Sequence, residues 1–214
     1  MATEIKSVRR CVIIAGVPDA DVPTVQAAVR PDDFIICADR GYATAIQAGI
    51  TPHLIVGDFD SYAGVLPDGC EVIRLCPQKD DTDTMHCVTV ALERGFRRFV
   101  LLAVTGGRLD HTLANLCVLA YLRQQDAEGE IVTESETIVC LTEGVRRFDG
   151  RKGQTFSVFP FGCERVILSY EGAQYPLDHG VLTNSVPMGV SNVFVSDSAS
   201  VTVHGGQAVC FVIN

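Results

Sequence analysis

No basic run, no apolar stretch of bilayer length, no paired-cysteine motif and no tryptophan occur in these 214 residues, and most of these absences remove a class of function. Seventeen Lys and Arg against 26 Asp and Glu give a net charge of -9 and a pI near 4.9. A nucleic-acid surface needs clustered cations to neutralise phosphates, so none is expected. Crossing a bilayer takes ~20 consecutive apolar residues. The opening residues Met-Ala-Thr-Glu-Ile-Lys-Ser-Val-Arg-Arg hold no apolar leader core, so a cytoplasmic chain without membrane contact is expected. The nine cysteines are odd in number and include no Cys-x-x-Cys. Cys11, Cys37, Cys140 and Cys210 fall in β-like apolar runs, where a reduced thiol acts as a small hydrophobe, and the cysteines are read as reduced core residues. Internal repeats and low-complexity tracts are missing too. The 47% hydrophobic content is ample for a packed core, in one large domain or two small ones.

Through residue ~125 the pattern alternates between strand and helix. Apolar runs at 10–16, 34–38, 54–56, 72–75 and 99–104 read as parallel strands covered on both faces. Helical spacing marks 22–29 and 42–48, and two stronger helices. One follows Asp80 and Thr82 with Met85, Val88, Thr89 and Leu92 as its stripe and Gly95 as its stop; the other follows Asp110 with Leu113, Leu116, Cys117, Ala120 and Tyr121. From residue 131 short strand-like runs at 137–141, 154–159, 165–170, 193–195, 200–204 and 208–213 alternate with turn residues. The expected fold is α/β: an N-terminal doubly wound, mostly parallel sheet domain (1–128), then a C-terminal antiparallel β-sandwich (129–214).

What is abundant is aspartate at strand exits. Asp39 stands in Ala-Asp-Arg-Gly, Asp58 and Asp60 in Gly-Asp-Phe-Asp-Ser, Asp83 in Lys-Asp-Asp-Thr-Asp, and Asp110 in Gly-Gly-Arg-Leu-Asp-His. Ligand sites of open α/β sheets lie at the carboxyl ends of strands. Carboxylates gathered there repel one another unless a cation intervenes, and hard oxygens with open positions suit Mg²⁺ bridging to phosphates. Asp58 and Asp60, two apart, share a face if the strand continues; a turn bonded to its own backbone is the plainer alternative. At the next junction Asp80 is a candidate N-cap with Asp83 at N3. Capping explains one acid there but not three beside Lys79, which suits a phosphate. Gly106 and Gly107 allow close approach of a ligand, and Arg108 can take phosphate bidentately; the alternative is a turn with Asp110 as cap. His111 is a proton-carrier candidate or polar surface. Arg40 adds a cation beside Asp39. Neither a Walker A loop nor a Rossmann fingerprint is present. An Asp-x-Asp pair also occurs in nucleotide-sugar glycosyltransferases, so the motif alone leaves the chemistry open.

Taken in order, Asp39-Arg40-Gly41, the stretch from Pro52-His53 through Gly57-Asp58-Phe59-Asp60-Ser61, Lys79-Asp80-Asp81-Thr82-Asp83-Thr84, Gly106-Gly107-Arg108-Leu109-Asp110-His111 and Gly189-Val190-Ser191-Asn192 resemble the thiamine pyrophosphokinase family over nearly the whole chain. That resemblance implies an α/β domain for ATP and Mg²⁺, a β-sandwich for thiamine, and a homodimer with thiamine between chains. It implies that the hydroxyl of thiamine attacks the β-phosphorus of ATP and releases AMP. By position, Asp58, Asp60 and Asp83 would hold Mg²⁺. Asp39, Arg40, Lys79, Asp80, Thr82, Gly106, Gly107 and Arg108 would line the ATP site. Arg108 would meet developing charge, Asp110 would orient or deprotonate the hydroxyl, and Ser191 with Asn192 would contact thiamine. The chain departs from the family where Val193 replaces an acid after Ser-Asn and where no tryptophan exists to stack on the vitamin. A different alcohol such as a hydroxymethylpterin, a glycosyl transfer, and a non-catalytic sensor are the competing readings.

Overall fold

Valine, isoleucine and leucine runs without a polar interruption can only be buried on both faces, and they form the centre of a parallel sheet. The computed structural model describes residues 9–58, 69–76 and 81–214. The chain divides into two units: residues through Val118 with Gln124–Thr133, and Leu119–Arg123 with Glu134–Asn214.

The first unit runs β1 (Arg10–Ile14), α1 (Val22–Ala28), β2 (Phe34–Ala38), α2 (Gly41–Gln47), β3 (Leu54–Gly57), β4 (Glu71–Arg74), α3 (Asp83–Glu93), β5 (Arg98–Leu102), the start of α4 (Leu109–Gln124), and β6 (Glu128–Val132). The strand order is β6-β5-β1-β2-β3-β4, and every neighbouring pair is parallel. Val12, Ile14, Cys37, Ile55, Val100 and Leu102 pack with Val25 of α1, with Tyr42 and Ala45 of α2 and with Ala48, which caps it. Side chains alternate along a strand, so Cys11, Ile13 and Ile36 turn the other way. Over that side α3 packs on β1, β2 and β3 with Cys87, Val88 and Ala91 fully buried. At the lower edge Arg10 forks onto both carboxylate oxygens of Asp33 at 2.8 and 2.7 Å. His53 accepts from the Ile35 amide at 3.1 Å and stacks on Phe34, a structural use.

The second unit holds β7 (Glu136–Leu141), β8 (Gly144–Asp149), β9 (Thr155–Pro160), β10 (Arg165–Glu171), β11 (Leu177–Thr183), β12 (Asn192–Val193), β13 (Ser198–Gly205) and β14 (Ala208–Ile213). Antiparallel β12-β9-β14-β7 faces antiparallel β11-β10-β13-β8. One core joins the two sheets: Phe156 and Val158 of β9 with Val166, Leu168 and Tyr170 of β10, alternating with outward residues as a sandwich requires. Phe194 stacks between Phe156 and Phe148.

Several sequence expectations are corrected. Strands β6, β8 and β11 escaped the pattern: β6 carries two glutamates, β8 two adjacent arginines, and β11 an Asp-His-Gly interruption. Strands β8 and β11 are sheet edges, where polar residues are tolerated and apolar period fades. Pairing with β5 puts β6 in the first unit. The N-cap of α3 is Thr82, whose hydroxyl accepts from the Met85 amide, so Asp83 is the first helical residue rather than the third. Along α4 the expected stripe holds only in part: Ala120 is buried and Leu116 and Tyr121 are half-buried, but Leu113 and Cys117 are exposed, while Asn115, Val118, Leu119 and Leu122 outside it are buried. That helix is apolar on most sides, which leaves spacing unable to choose. Five cysteines are buried as expected, but Cys76 and Cys117 are exposed. Among the described residues no helix is long and apolar enough to cross a membrane.

Candidate active site

Chain order reverses at β1, with β2 to one side and β5 to the other, which opens a crevice where a doubly wound sheet takes its ligand. A cavity of about 570 Å³ lies there. Its wall is built from the exits of three strands: Ala15 to Pro18 after β1, Asp39 and Arg40 after β2, and Ala103 to Arg108 after β5 except Thr105. The start of α3, Asp81 to Thr84, completes it with His111 and Asn115 of α4.

Close backbone approach makes this possible. A Cβ on Gly16 would lie 2.6 Å from the carbonyl carbon of Arg40, and one on Gly57 would lie 2.9 Å from Cα of Asp39. Glycine is therefore required at both. Asp39 carries the ladder one residue past β2, its amide donating to Val56 O at 2.8 Å, and then turns with φ +43°. Ala103, just after β5, also holds left-handed backbone, with φ +53°. Left-handed backbone at a residue other than glycine costs of order 1–2 kcal/mol and clusters at functional sites.

Of the residues singled out from sequence, Asp39, Arg40, Thr82, Asp83, Gly106, Gly107 and Arg108 come together on this cavity. Asp58 follows β3 directly. Asp60, Lys79 and Asp80 lie outside the described residues. Among the described residues no three His, Cys, Asp or Glu side chains gather as a metal-holding group. Asp110 sits in the first turn of α4 rather than at its cap, and Arg108 forks onto it at 3.1 and 2.6 Å. The Arg108 hydrogen bond holds the Asp110 carboxyl below the usual range, and the same bond raises the guanidinium. Asp110 is thus an anion at neutral pH. A phosphate arriving at Arg108 competes with it for the same fork.

In the second unit, Ser191 has φ +58° and donates its amide to Ser157 Oγ at 3.0 Å. Asn192 is buried and uses its carboxamide on backbone: Oδ1 accepts from the Tyr175 and Val193 amides, and Nδ2 donates to Tyr175 O at 2.8 Å. One Nδ2 hydrogen is left over. The clamp fixes the backbone of Tyr175, a residue 64% exposed. Sequence reasoning missed Tyr175, as it missed Ala15 to Pro18 and Asn115. A glycine and a proline just after the first apolar strand were the available signal for the β1 exit.

Comparison with known proteins shows the family. Residues 25–131 match the family model "Thiamin pyrophosphokinase, catalytic domain", and residues 140–209 match "Thiamin pyrophosphokinase, vitamin B1 binding domain". The chain is 25% identical over 191 residues to the thiamine pyrophosphokinase of Bacillus subtilis (strain 168), covering 86% of this chain and 88% of that protein. A crystal structure of thiamine pyrophosphokinase from Bacillus subtilis superposes with a TM-score of 0.87 at 23% identity, over 96% of this chain and 99% of the other, which shows a shared fold. The thiamin pyrophosphokinase structure from Geobacillus thermodenitrificans gives 0.82 at 26% identity, covering 96% and 97%.

Proposed function

Because the chain belongs to the thiamin pyrophosphokinase family, we propose that it transfers the pyrophosphoryl group of ATP to the primary hydroxyl of thiamine, giving thiamine diphosphate and AMP. The observation that carries this is the cavity at the strand-order reversal, lined by three carboxylates, paired glycines and two arginines. ATP lies against Asp39, Arg40, Lys79, Asp80, Thr82, Gly106, Gly107 and Arg108. Gly106 and Gly107, at φ +99° and +64°, let phosphate oxygens approach the backbone.

The donor set suits Mg²⁺, which takes one or two carboxylates beside substrate phosphates rather than a full protein cage: Asp39 and Asp83 bring hard oxygens to the cavity wall. Asp58, Asp60 and Asp83 are assigned to hold it. When bound, it neutralises phosphate charge and orients the triphosphate. Arg108 meets the charge that develops as the bond between the α- and β-phosphates breaks and AMP leaves. Taking phosphate, Arg108 releases the carboxylate of Asp110, which then accepts the proton of the hydroxyl as its oxygen bonds to the β-phosphorus.

For the vitamin, the second unit offers Ser191, the remaining hydrogen of Asn192 and the Tyr175 ring, an aromatic platform in a chain without tryptophan. Exposed Val181, Val186, Met188, Val190 and Val195 in the same unit support a homodimer with thiamine at its interface. Nine unpaired cysteines favour a reducing, cytoplasmic setting. Incubation with ATP, Mg²⁺ and thiamine, with mass spectrometry of the products, tests the reading. AMP and thiamine diphosphate, both lost with EDTA, are expected; ADP, or binding without turnover, would overturn it.

A further inference from the structure

Asn115 is only 6% exposed, on the buried face of α4 and in the wall of the cavity. Its Nδ2 donates to Val104 O at 2.7 Å. That carbonyl has left the β5 ladder, which ends at Leu102, and follows the left-handed Ala103. Reversing the amide would set oxygen against oxygen, so the orientation is fixed. The Oδ1 atom is buried with no hydrogen-bond partner among the described residues. A buried acceptor left unsatisfied costs stability; an apolar side chain would spare Oδ1 that cost but would leave the Val104 carbonyl without its donor. What the carboxamide supplies at this position is its hold on that carbonyl.

One turn earlier on the same helix, Thr112 Oγ1 accepts from the Gly106 amide at 3.4 Å. Together Asn115 and Thr112 tie the segment from Val104 to Gly106 onto its own helix, and that segment leads into Gly107 and Arg108 on the cavity. Of the two ties, the one from Asn115 is shorter and buried.

We infer that Asn115 is a positioning residue for the transfer reaction: by holding the Val104 carbonyl it sets the loop that carries Gly106, Gly107 and Arg108 to the phosphates. This rests on the pyrophosphotransfer reading. A misplacement of about 1 Å at a reacting group can cost on the order of a hundredfold in rate.

The test uses Asn115→Asp, which keeps the shape but removes the donor, and Asn115→Ala, with kinetics, melting and amide hydrogen exchange on the intact chain. Expected are a kcat ten- to a hundredfold lower in both, a thiamine KM within twofold of wild type, a melting temperature within a few degrees, and faster exchange confined to residues 103–108. For Asn115→Asp the rate relative to wild type should rise as pH falls, because a protonated carboxyl can donate to Val104 O again. Activity within twofold of wild type in both variants overturns the inference. So does a loss of activity matched by global destabilisation, or failure of both to fold, either of which would make Asn115 a packing residue. Wild-type protein that makes no thiamine diphosphate would instead refute the underlying reading, while the exchange measurement would still decide whether Asn115 holds the loop.

Discussion

Replacing Gly41 by alanine sets two known effects against each other, and the structure decides the sign. Gly41 opens α2 directly behind Asp39 and Arg40. Its backbone is not in the left-handed region, so by helix propensity alone Gly41→Ala should stabilise by up to about 1 kcal/mol. A Cβ there, however, would lie 2.7 Å from the carbonyl carbon of Ile14 and closer still to its oxygen. Ordinary carbon–carbon contact is about 3.5–4.0 Å, so the elements must part by about 1 Å. Neither side yields cheaply. Ile14 ends the central strand, held by β2 and β5, and the Ala15 amide donates to Leu102 O at 2.9 Å. On the helix side, Tyr42 and Ala45 are packed in the core.

Overpacking of this kind costs about 1–3 kcal/mol, and backbone on both sides argues for the upper end. Net of propensity, Gly41→Ala should destabilise by about 2 kcal/mol, a loss of roughly 4–8 °C for a chain of this size. Gly205→Ala is the control, with open space around its Cβ and no left-handed backbone; it should melt within about 2 °C of wild type. Without tryptophan, unfolding is followed by far-ultraviolet circular dichroism and tyrosine emission. Because Ile14 leads into the cavity wall, the KM for ATP should rise too. A Gly41→Ala protein that melts at or above the wild-type temperature would refute the close approach of α2 to β1.

Asp33 is buried and also accepts from the Arg30 amide at 2.7 Å; burial pushes its pKa up, but the Arg10 fork and that amide outweigh it and hold the carboxyl below the usual range. Asp33→Ala strands Arg10 and should cost about 3 kcal/mol in urea unfolding at neutral pH. Since the folded pKa is depressed, the wild-type contribution is present above pH ~4 and lost as pH falls through the folded value, so the two proteins should converge in acid. Asp58→Asn and Asp60→Asn should each abolish turnover while leaving the melting temperature nearly unchanged; near-normal rates in both would remove the metal assignment. Tyr175→Ala should raise the thiamine KM about two- to tenfold, the worth of one aromatic stack, with the ATP KM unchanged and Tyr175→Phe close to wild type.

What sequence conveyed well was chemistry that needs particular residue types. Apolar runs located β1, β2, β3 and β5, because strands covered on both faces have no polar option. Acid- and glycine-bearing motifs at strand exits marked Asp39, Arg40, Thr82, Asp83, Gly106, Gly107 and Arg108, which lie on the cavity wall. The β1 exit went unread because Ala15, Gly16, Val17 and Pro18 carry no reactive group; they contribute shape, and shape is set by contact with Arg40 from elsewhere in the chain. Asn115 was hidden for a related reason. On an apolar helix an asparagine reads as marking the solvent side, whereas here it faces inward because the carbonyl of Val104, eleven residues earlier, needs a donor.

Tyr175 shows the same limit from the other direction. A tyrosine beside proline in a polar stretch has no local signature of importance, and it is the carboxamide of Asn192, seventeen residues on, that holds its backbone in place. Backbone conformation follows suit. Asp39, Ala103 and Ser191 all hold left-handed φ without being glycine, and each lies in a segment assigned to substrate. Nothing in Ala-Asp-Arg, Leu-Ala-Val or Val-Ser-Asn announces that. Each is imposed from outside: Val56 O takes the Asp39 amide, Asn115 takes the carbonyl after Ala103, and Ser157 takes the Ser191 amide. Partners distant in sequence thus supply the free energy that holds these turns. The residues that make a site reactive can be read one motif at a time, but those that aim it are legible only once the chain is folded.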